Sequence, residues 1–224
     1  KGLWEIEEEW MGCKSLLDIY KLCGSPPSHR ATVPALVDPI DGINQKPKLL
    51  GNESAQLVEA LDKWPSSEKN IDLNPIHLQK EINHWQDYLQ EAVNNGVYKC
   101  GFARNQDAYD EASLNLFHAL DKLENHLQKN GPWICGDMLT LADIRLFPTL
   151  IRWETIYQPF FCCSKKPLSN YQNICTWRKR LFNFPNIKET CDAKAWRNDY
   201  FGALFPLRPS NIIPNGPDIA ELVN

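Results

Sequence analysis

No apolar run in this chain approaches the roughly 20 residues that a membrane-spanning helix needs. Basic residues are not in excess: the formal net charge is -4, which gives no electrostatic reason to expect a nucleic-acid partner. None of the eight cysteines forms a Cys-x-x-Cys pair. His29, His77, His84, His118 and His126 show no ligand spacing with a third partner, so no metal is expected. Cys162 and Cys163 are adjacent, and neighbours rarely bond to each other. Reduced thiols are therefore expected in place of a disulfide framework, in a reducing compartment such as the cytoplasm or an organelle like the plastid stroma. The chain starts at Lys1 with no signal-peptide pattern, so a presequence or a longer N-terminal segment is expected upstream.

What is present suits one large domain or two small ones: 224 residues, 43% of them hydrophobic. The strongest local pattern begins at Thr140. Thr140 can cap a helix, with Asp143 three residues on as a variant capping box, and Leu139 and Ile144 can form a hydrophobic staple. Leu146, Phe147, Leu150, Ile151 and Trp153 then cover most of the circumference, so this helix should be buried on several sides. Pro148 inside it removes one backbone bond and predicts a kink.

The rest of the chain is organised around that helix. A short helix is expected over Ser15–Leu22, a strand over Ala31–Asp38 with Pro34 as an awkward member, a turn at Asp41-Gly42 and a second strand at Lys48–Leu50. A helix beginning near Glu53-Ser54 carries Leu57, Val58 and Leu61. Residues 1–64 thus look like part of a small α/β domain, and 65–73 like a linker. A helical domain follows over 74–195. Asn74-Pro75 opens it, Asn94-Asn95-Gly96 ends its first helix and Asn105 caps the next. Pro206, Pro209, Pro214 and Pro217 predict an extended tail over 196–224.

A partial α/β unit followed by an all-helical domain resembles the glutathione transferases. Thr32-Val33-Pro34 resembles that family's strand ending in a cis-proline. Asn52-Glu53-Ser54 resembles its acidic-Ser pair at a helix start, and Thr140-Leu-Ala-Asp143 its central capping box. One branch fits better. Asn94-Asn-Gly-Val-Tyr-Lys-Cys-Gly-Phe-Ala103, Leu141–Phe147 with Thr149–Arg152, and Asn211–Pro217 resemble signatures of the Xi class, the glutathionyl-hydroquinone reductases. The resemblance implies an incomplete thioredoxin-like domain, then an all-α glutathione-transferase C-terminal domain. It also implies a reaction in which a cysteine attacks the glutathione adduct of a quinol, releases the quinol, and is cleared by a second glutathione. The family's nucleophile lies in a Cys-Pro-x-Ala motif, and none occurs here, so no catalytic residue is assigned. Gly202–Arg208, Pro148 and Cys100 also depart from the family pattern.

Through this resemblance, Val33 and Pro34 would offer a turned backbone to glutathione. Glu53 and Ser54 would take its γ-glutamyl end at a helix N-terminus, where ordinary capping is the competing role. Tyr98, placed on a loop or a first turn, and Tyr200 are candidates for a quinol-type substrate; loop anchoring and tail packing compete. Cys13, just before a helix, could pass for a nucleophile but sits before the wrong helix. Arg145 and Arg152 are expected in buried or interface ion pairs. The expected partners are glutathione, a quinol-type small molecule, and either a second copy through the helical domain or a larger protein complex. A glutathione-transferase-like subunit that binds or scaffolds without catalysis is the alternative, since one fold supports both roles.

Overall fold

The structure, a computed structural model, describes residues 5–26, 28–40, 46–65, 71–203 and 212–223. The chain divides into two compact units, Lys1–Ile71 and Asp72–Asn224.

The first unit opens with an antiparallel hairpin, β1 (Glu5–Trp10) and β2 (Cys13–Ser15), with Trp10 opposite Cys13. Met11 and Gly12 connect the strands at φ 52° and 78°, the pair of positive values that a type I′ hairpin turn requires. Ser15 then caps α1 (Leu16–Leu22). Its hydroxyl accepts from the Asp18 N–H at 3.3 Å, and Asp18 Oδ2 accepts from the Ser15 N–H at 3.1 Å. Strands β3 (Leu36–Asp38) and β4 (Lys48–Gly51) pair antiparallel, with Val37 opposite Leu49 and Asp38 opposite Lys48. The strand expected from Ala31 is shorter than its sequence pattern, because Pro34 has no N–H to donate and pairing starts after it. The Asp41-Gly42 turn lies outside the described residues. Helix α2 (Ser54–Asp62) follows β4.

In the second unit a tight turn over Ile76–Leu78 leads into α3 (Gln79–Leu89), so Pro75 caps that turn and is not the first helical residue. A π-turn (Gln90–Asn94) joins α3 to α4 (Gly96–Gly101). The expected stop at Asn94-Asn95-Gly96 is therefore not a stop. The Asn94 amide is engaged elsewhere, accepting from Thr149 Oγ1 at 2.7 Å and donating to the Arg145 carbonyl at 3.1 Å. Gly96 is buried, with its α-carbon turned towards Leu116.

Asn105 caps α5 (Gln106–Asn130), its side chain accepting from the Ala108 N–H at 2.8 Å. Helix α6 (Leu141–Ile151) is the predicted central helix, and eight of its eleven residues are buried. The Thr140 N–H and hydroxyl both donate to Asp143 Oδ2 at 3.0 Å. The helix continues through Pro148 and is followed by a second π-turn (Trp153–Tyr157), in which the Gln158 N–H reaches back to the Trp153 carbonyl. Helices α7 (Gln158–Phe160), α8 (Gln172–Phe182), α9 (Ala193–Ala203) and α10 (Ile219–Leu222) complete the unit. Helix α6 packs on α3 and α8, and α5 on α4 and α8.

Two further expectations need correction. The extended tail does not begin at Trp196: Asp192 Oδ1 accepts from the N–H groups of Lys194 and Ala195, both at 2.9 Å, and the helix it starts carries buried Trp196 and runs to Ala203. Arg145 and Arg152 do not form ion pairs among the described residues. Arg145 donates to the side-chain oxygens of Gln86 and Gln90. Arg152 lies over the Trp196 ring, 4.9 Å from its centroid. The buried pairing cation is Arg178 instead. It donates to Glu154 Oε2 at 2.7 Å, to the Leu150 carbonyl at 3.1 Å and to the Leu222 carbonyl at 2.9 Å, which fastens α10 to the helical core.

Candidate functional site

Each unit holds its own cluster of candidate residues. In the first unit Thr32 is the anchor. Tyr20, buried on α1, donates its hydroxyl proton to the Thr32 carbonyl at 2.7 Å. Asn52, just before α2, donates to Thr32 Oγ1 at 3.4 Å. These two bonds fix the segment that carries Val33 and Pro34 beside the start of α2. The Val33–Pro34 peptide bond is cis, and Val33 is 59% exposed. Glu53 is the extended residue that precedes α2, at φ -93° and ψ 111°, but its side chain makes no capping hydrogen bond. Ordinary capping therefore does not account for Glu53. Glu53 and Ser54 are both exposed. A free carboxylate, a hydroxyl and the uncapped N–H groups of a nine-residue helix meet an exposed stretch of turned backbone. That set suits a ligand carrying both an ammonium and a carboxylate on a peptide.

In the second unit three phenols meet. Tyr98 lies in the first turn of α4, the second of its two expected places; Tyr157 ends the second π-turn; Tyr200 lies on α9. Their oxygens form a closed triangle: Tyr98 to Tyr200 is 2.6 Å, Tyr157 to Tyr200 is 3.1 Å, and Tyr98 to Tyr157 is 3.4 Å. Phe161 backs all three, with ring centroids 5.2 Å from Tyr98, 5.7 Å from Tyr157 and 6.1 Å from Tyr200. Tyr157 is 2% exposed and Tyr98 37% exposed, so the triangle has a buried corner and an open one. Burial, reinforced by the charge that Tyr200 would carry if ionised, pushes the Tyr98 phenol up to about 12. Burial raises the Tyr157 phenol further still. At neutral pH both remain protonated donors, able to bind a phenolic or phenolate oxygen placed at the open corner.

The structure thus brings Tyr98 and Tyr200 together, and it adds Tyr157 and Phe161, which the sequence alone did not single out. Tyr157 follows Trp153 by four residues in an apolar stretch, the signature of a core residue. Its ring is indeed buried, yet it packs on the Tyr98, Phe161 and Tyr200 rings and carries its hydroxyl into the cluster. Cys13 lies in β2 and is 4% exposed, which does not suit an attacking thiol. Among the described residues, no three His, Cys, Asp or Glu side chains gather where they would hold a metal ion.

The helical unit matches a known family: the profile of the glutathione S-transferase C-terminal domain fits residues 106–189. The glutathionyl-hydroquinone reductase PcpF of Sphingobium chlorophenolicum is 33% identical over 92% of this chain and 64% of its own length. The glutathionyl-hydroquinone reductase YqjG of Escherichia coli K-12 is 37% identical over 85% of this chain and 57% of its own length. The chain thus spans less than two thirds of either relative. The glutathione-bound structure of YqjG superposes with a TM-score of 0.87 at 32% identity, covering 97% of this chain and 72% of that one. Glutathione transferase Xi 1 from Trametes versicolor gives 0.84 at 32% identity, with coverage of 92% and 71%. Coverage of 97% of the chain takes in the unit that bears Val33–Ser54 as well as the helical one, and the chain belongs to the Xi class of the glutathione transferases, the class of the glutathionyl-hydroquinone reductases.

Proposed function

We propose that this chain carries the glutathione-holding and quinol-holding parts of a glutathione-dependent reductase that frees a quinol from its glutathione thioether. The observation that supports it most is the triangle of Tyr98, Tyr157 and Tyr200 hydroxyls. Phenols kept protonated by burial can donate to the oxygen of a quinol leaving group and stabilise negative charge on it. In the first unit, Val33 beside cis Pro34 offers backbone hydrogen bonds to the tripeptide. Ser54 and the α2 N-terminus take its γ-glutamyl carboxylate, and Glu53 its ammonium.

The covalent step needs a thiolate. It attacks the glutathionyl sulfur, the carbon–sulfur bond breaks, and the ring carbon takes a proton as the quinol leaves. A second glutathione thiolate then attacks the mixed disulfide, giving glutathione disulfide and restoring the thiol. None of the eight cysteines occupies a Cys-Pro-x-Ala motif, so this chain's own contribution is binding and charge stabilisation. A reducing compartment, either cytoplasm or an organelle such as the plastid stroma, suits a protein whose eight cysteines are free thiols. Self-association, where it occurs, would run through the helical unit.

Calorimetric titration with reduced glutathione tests the proposal. The chain should bind it, and Ser54→Ala should weaken binding roughly 2- to 10-fold, the loss of one hydrogen bond. No binding by the unsubstituted chain would overturn the assignment of the Val33–Ser54 region. Binding without turnover, in a protein that also carries a first-helix cysteine, would favour a non-catalytic binding subunit.

A further inference from the structure

A cleft between the start of α9 and the short α10 shares no lining residue with either cluster described above. Its volume is about 660 Å³, within the range of small-molecule sites. Ala193 and Arg197 of α9 lie four residues apart, on one face of that helix, and both line it. Phe182, the last residue of α8, and Ile219 and Ala220 of α10 give it apolar surface.

Arg197 is the group whose burial demands a reason. It is 8% exposed, and its Nη1 donates to the Pro217 carbonyl at 3.1 Å, its one hydrogen bond among the described residues. Among those residues no Asp or Glu oxygen comes within 4.0 Å of it. Arg178, the other buried arginine, is neutralised by Glu154 at 2.7 Å. Arginine is rarely buried without such a partner, because a desolvated charge left unpaired is costly. The bond to Pro217 uses one of five N–H donors and none of the charge. The walls are also held in place. Arg197 fixes the tail at Pro217, and Arg178 fixes α10 through the Leu222 carbonyl.

The other charged residues narrow the ligand. Lys188, Lys194, Glu189 and Asp218 line the cleft but are exposed, so water and salt screen them. Asp192 also lines it, and its Oδ1 is committed to the N–H groups of Lys194 and Ala195. One buried cation beside apolar walls suits a single negative charge on an apolar body. A dianion would bring its second charge towards the Glu189, Asp192 and Asp218 carboxylates.

We propose that this cleft binds a small aryl monocarboxylate, with the carboxylate on the Arg197 guanidinium and the ring against Phe182 and Ile219. The donors that Pro217 leaves unused can take the two carboxylate oxygens. The site depends on neither glutathione nor quinol binding.

The test uses the whole chain, carbon-13-labelled in its isoleucine methyl groups, with the Ile219 signal assigned from Ile219→Val. The probes are 1-naphthylacetate and its neutral isostere 1-naphthylacetamide. The Ile219 methyl signal should shift saturably with the acid, and the amide should bind at least tenfold more weakly, the loss of a charged hydrogen-bonded pair. Arg197→Met should bring the acid down to the affinity of the amide. Ala220→Trp, at an exposed position of α10, fills the cleft while leaving Arg197 in place, and should abolish binding of both. Three results would each overturn the proposal: no saturable shift at Ile219, equal affinity for acid and amide, or binding that survives Ala220→Trp and is weakened by Tyr98→Phe. The last would put the probe in the tyrosine cluster.

Discussion

The indole Nε1–H of Trp177 donates to Asp143 Oδ1 at 2.7 Å, joining the middle of α8 to the first turn of α6. The same oxygen accepts from the Ile134 N–H at 2.9 Å, and the other oxygen serves Thr140. One buried carboxylate therefore satisfies donors from three segments of the helical unit. Burial raises its pKa, although every hydrogen bond it accepts works in the opposite direction. Asp143→Ala would leave several buried donors without an acceptor, each costing about 1–3 kcal/mol. The expected loss is about 3–5 kcal/mol, read from urea or thermal unfolding. Asp143→Asn keeps one acceptor and should lose less; equal losses for the two variants would show that the hydrogen bonds are not what matters.

Alkaline pH should expose the tyrosine cluster. Tyr98 ionises near 12 in the fold against 10.0 for a free phenol. An unfolded chain sheds that proton first, so the stability this group contributes is complete below pH 10.0 and is lost as the pH rises through about 12. Tyr98→Phe has no proton to lose. Its unfolding midpoint should fall less steeply with pH across that window than that of the unsubstituted chain. Parallel slopes would place the perturbed phenols elsewhere.

At Gly101 the expected outcome is purely steric. An added Cβ would lie 2.3 Å from Phe161 Cγ and 2.4 Å from Cδ1. Gly101→Ala should destabilise by about 1–3 kcal/mol, as over-packing of a dense core does. Combining it with Phe161→Ala should cost less than the sum of the two single changes, because the second removes the atoms that the first strikes. Additive losses in denaturant unfolding would mean that the two residues do not meet.

Catalysis by these 224 residues alone should be negligible. A glutathionyl-quinol incubated with glutathione and the chain should release quinol no faster than without it, because positioning does not replace a missing attacking group. Cys13→Ser should change nothing. Quinol release by the unsubstituted chain, abolished by Cys13→Ser, would make Cys13 the nucleophile and displace the proposed division of labour.

The capping signals were legible in the sequence because they are local. Thr140 with Asp143 and Asn105 with Ala108 sit three residues apart and need no knowledge of the rest of the fold. The Val33–Pro34 turn was legible only through its resemblance to a known strand ending. Other features depend on tertiary partners and leave no local trace. Asn94-Asn95-Gly96 reads as a helix stop, yet Thr149 and Arg145 hold Asn94 in a continuing helical path. Tyr157 looks like any core aromatic until Tyr98 and Tyr200, from 59 residues before it and 43 after it, converge on its hydroxyl. The β1–β2 hairpin was missed because its loop, Met11-Gly12, lacks the usual asparagine or aspartate before the glycine.

Tyr98 stands just beyond a change of helical phase, and Tyr157 is the last residue of another. Gln90–Asn94 and Trp153–Tyr157 each wind one residue further before closing than an α-turn does, so the side chains that close and follow them are rotated by about 100° from where an unbroken helix would aim them. The aim of Tyr98 and Tyr157 is therefore set by residue count more than by residue identity. Removing a single residue from either wide turn would leave the helix continuous and its ends nearly in place, while swinging the phenol out of reach of its partners. Sequence length across these two short stretches, rather than composition, is what this tyrosine cluster has to keep constant.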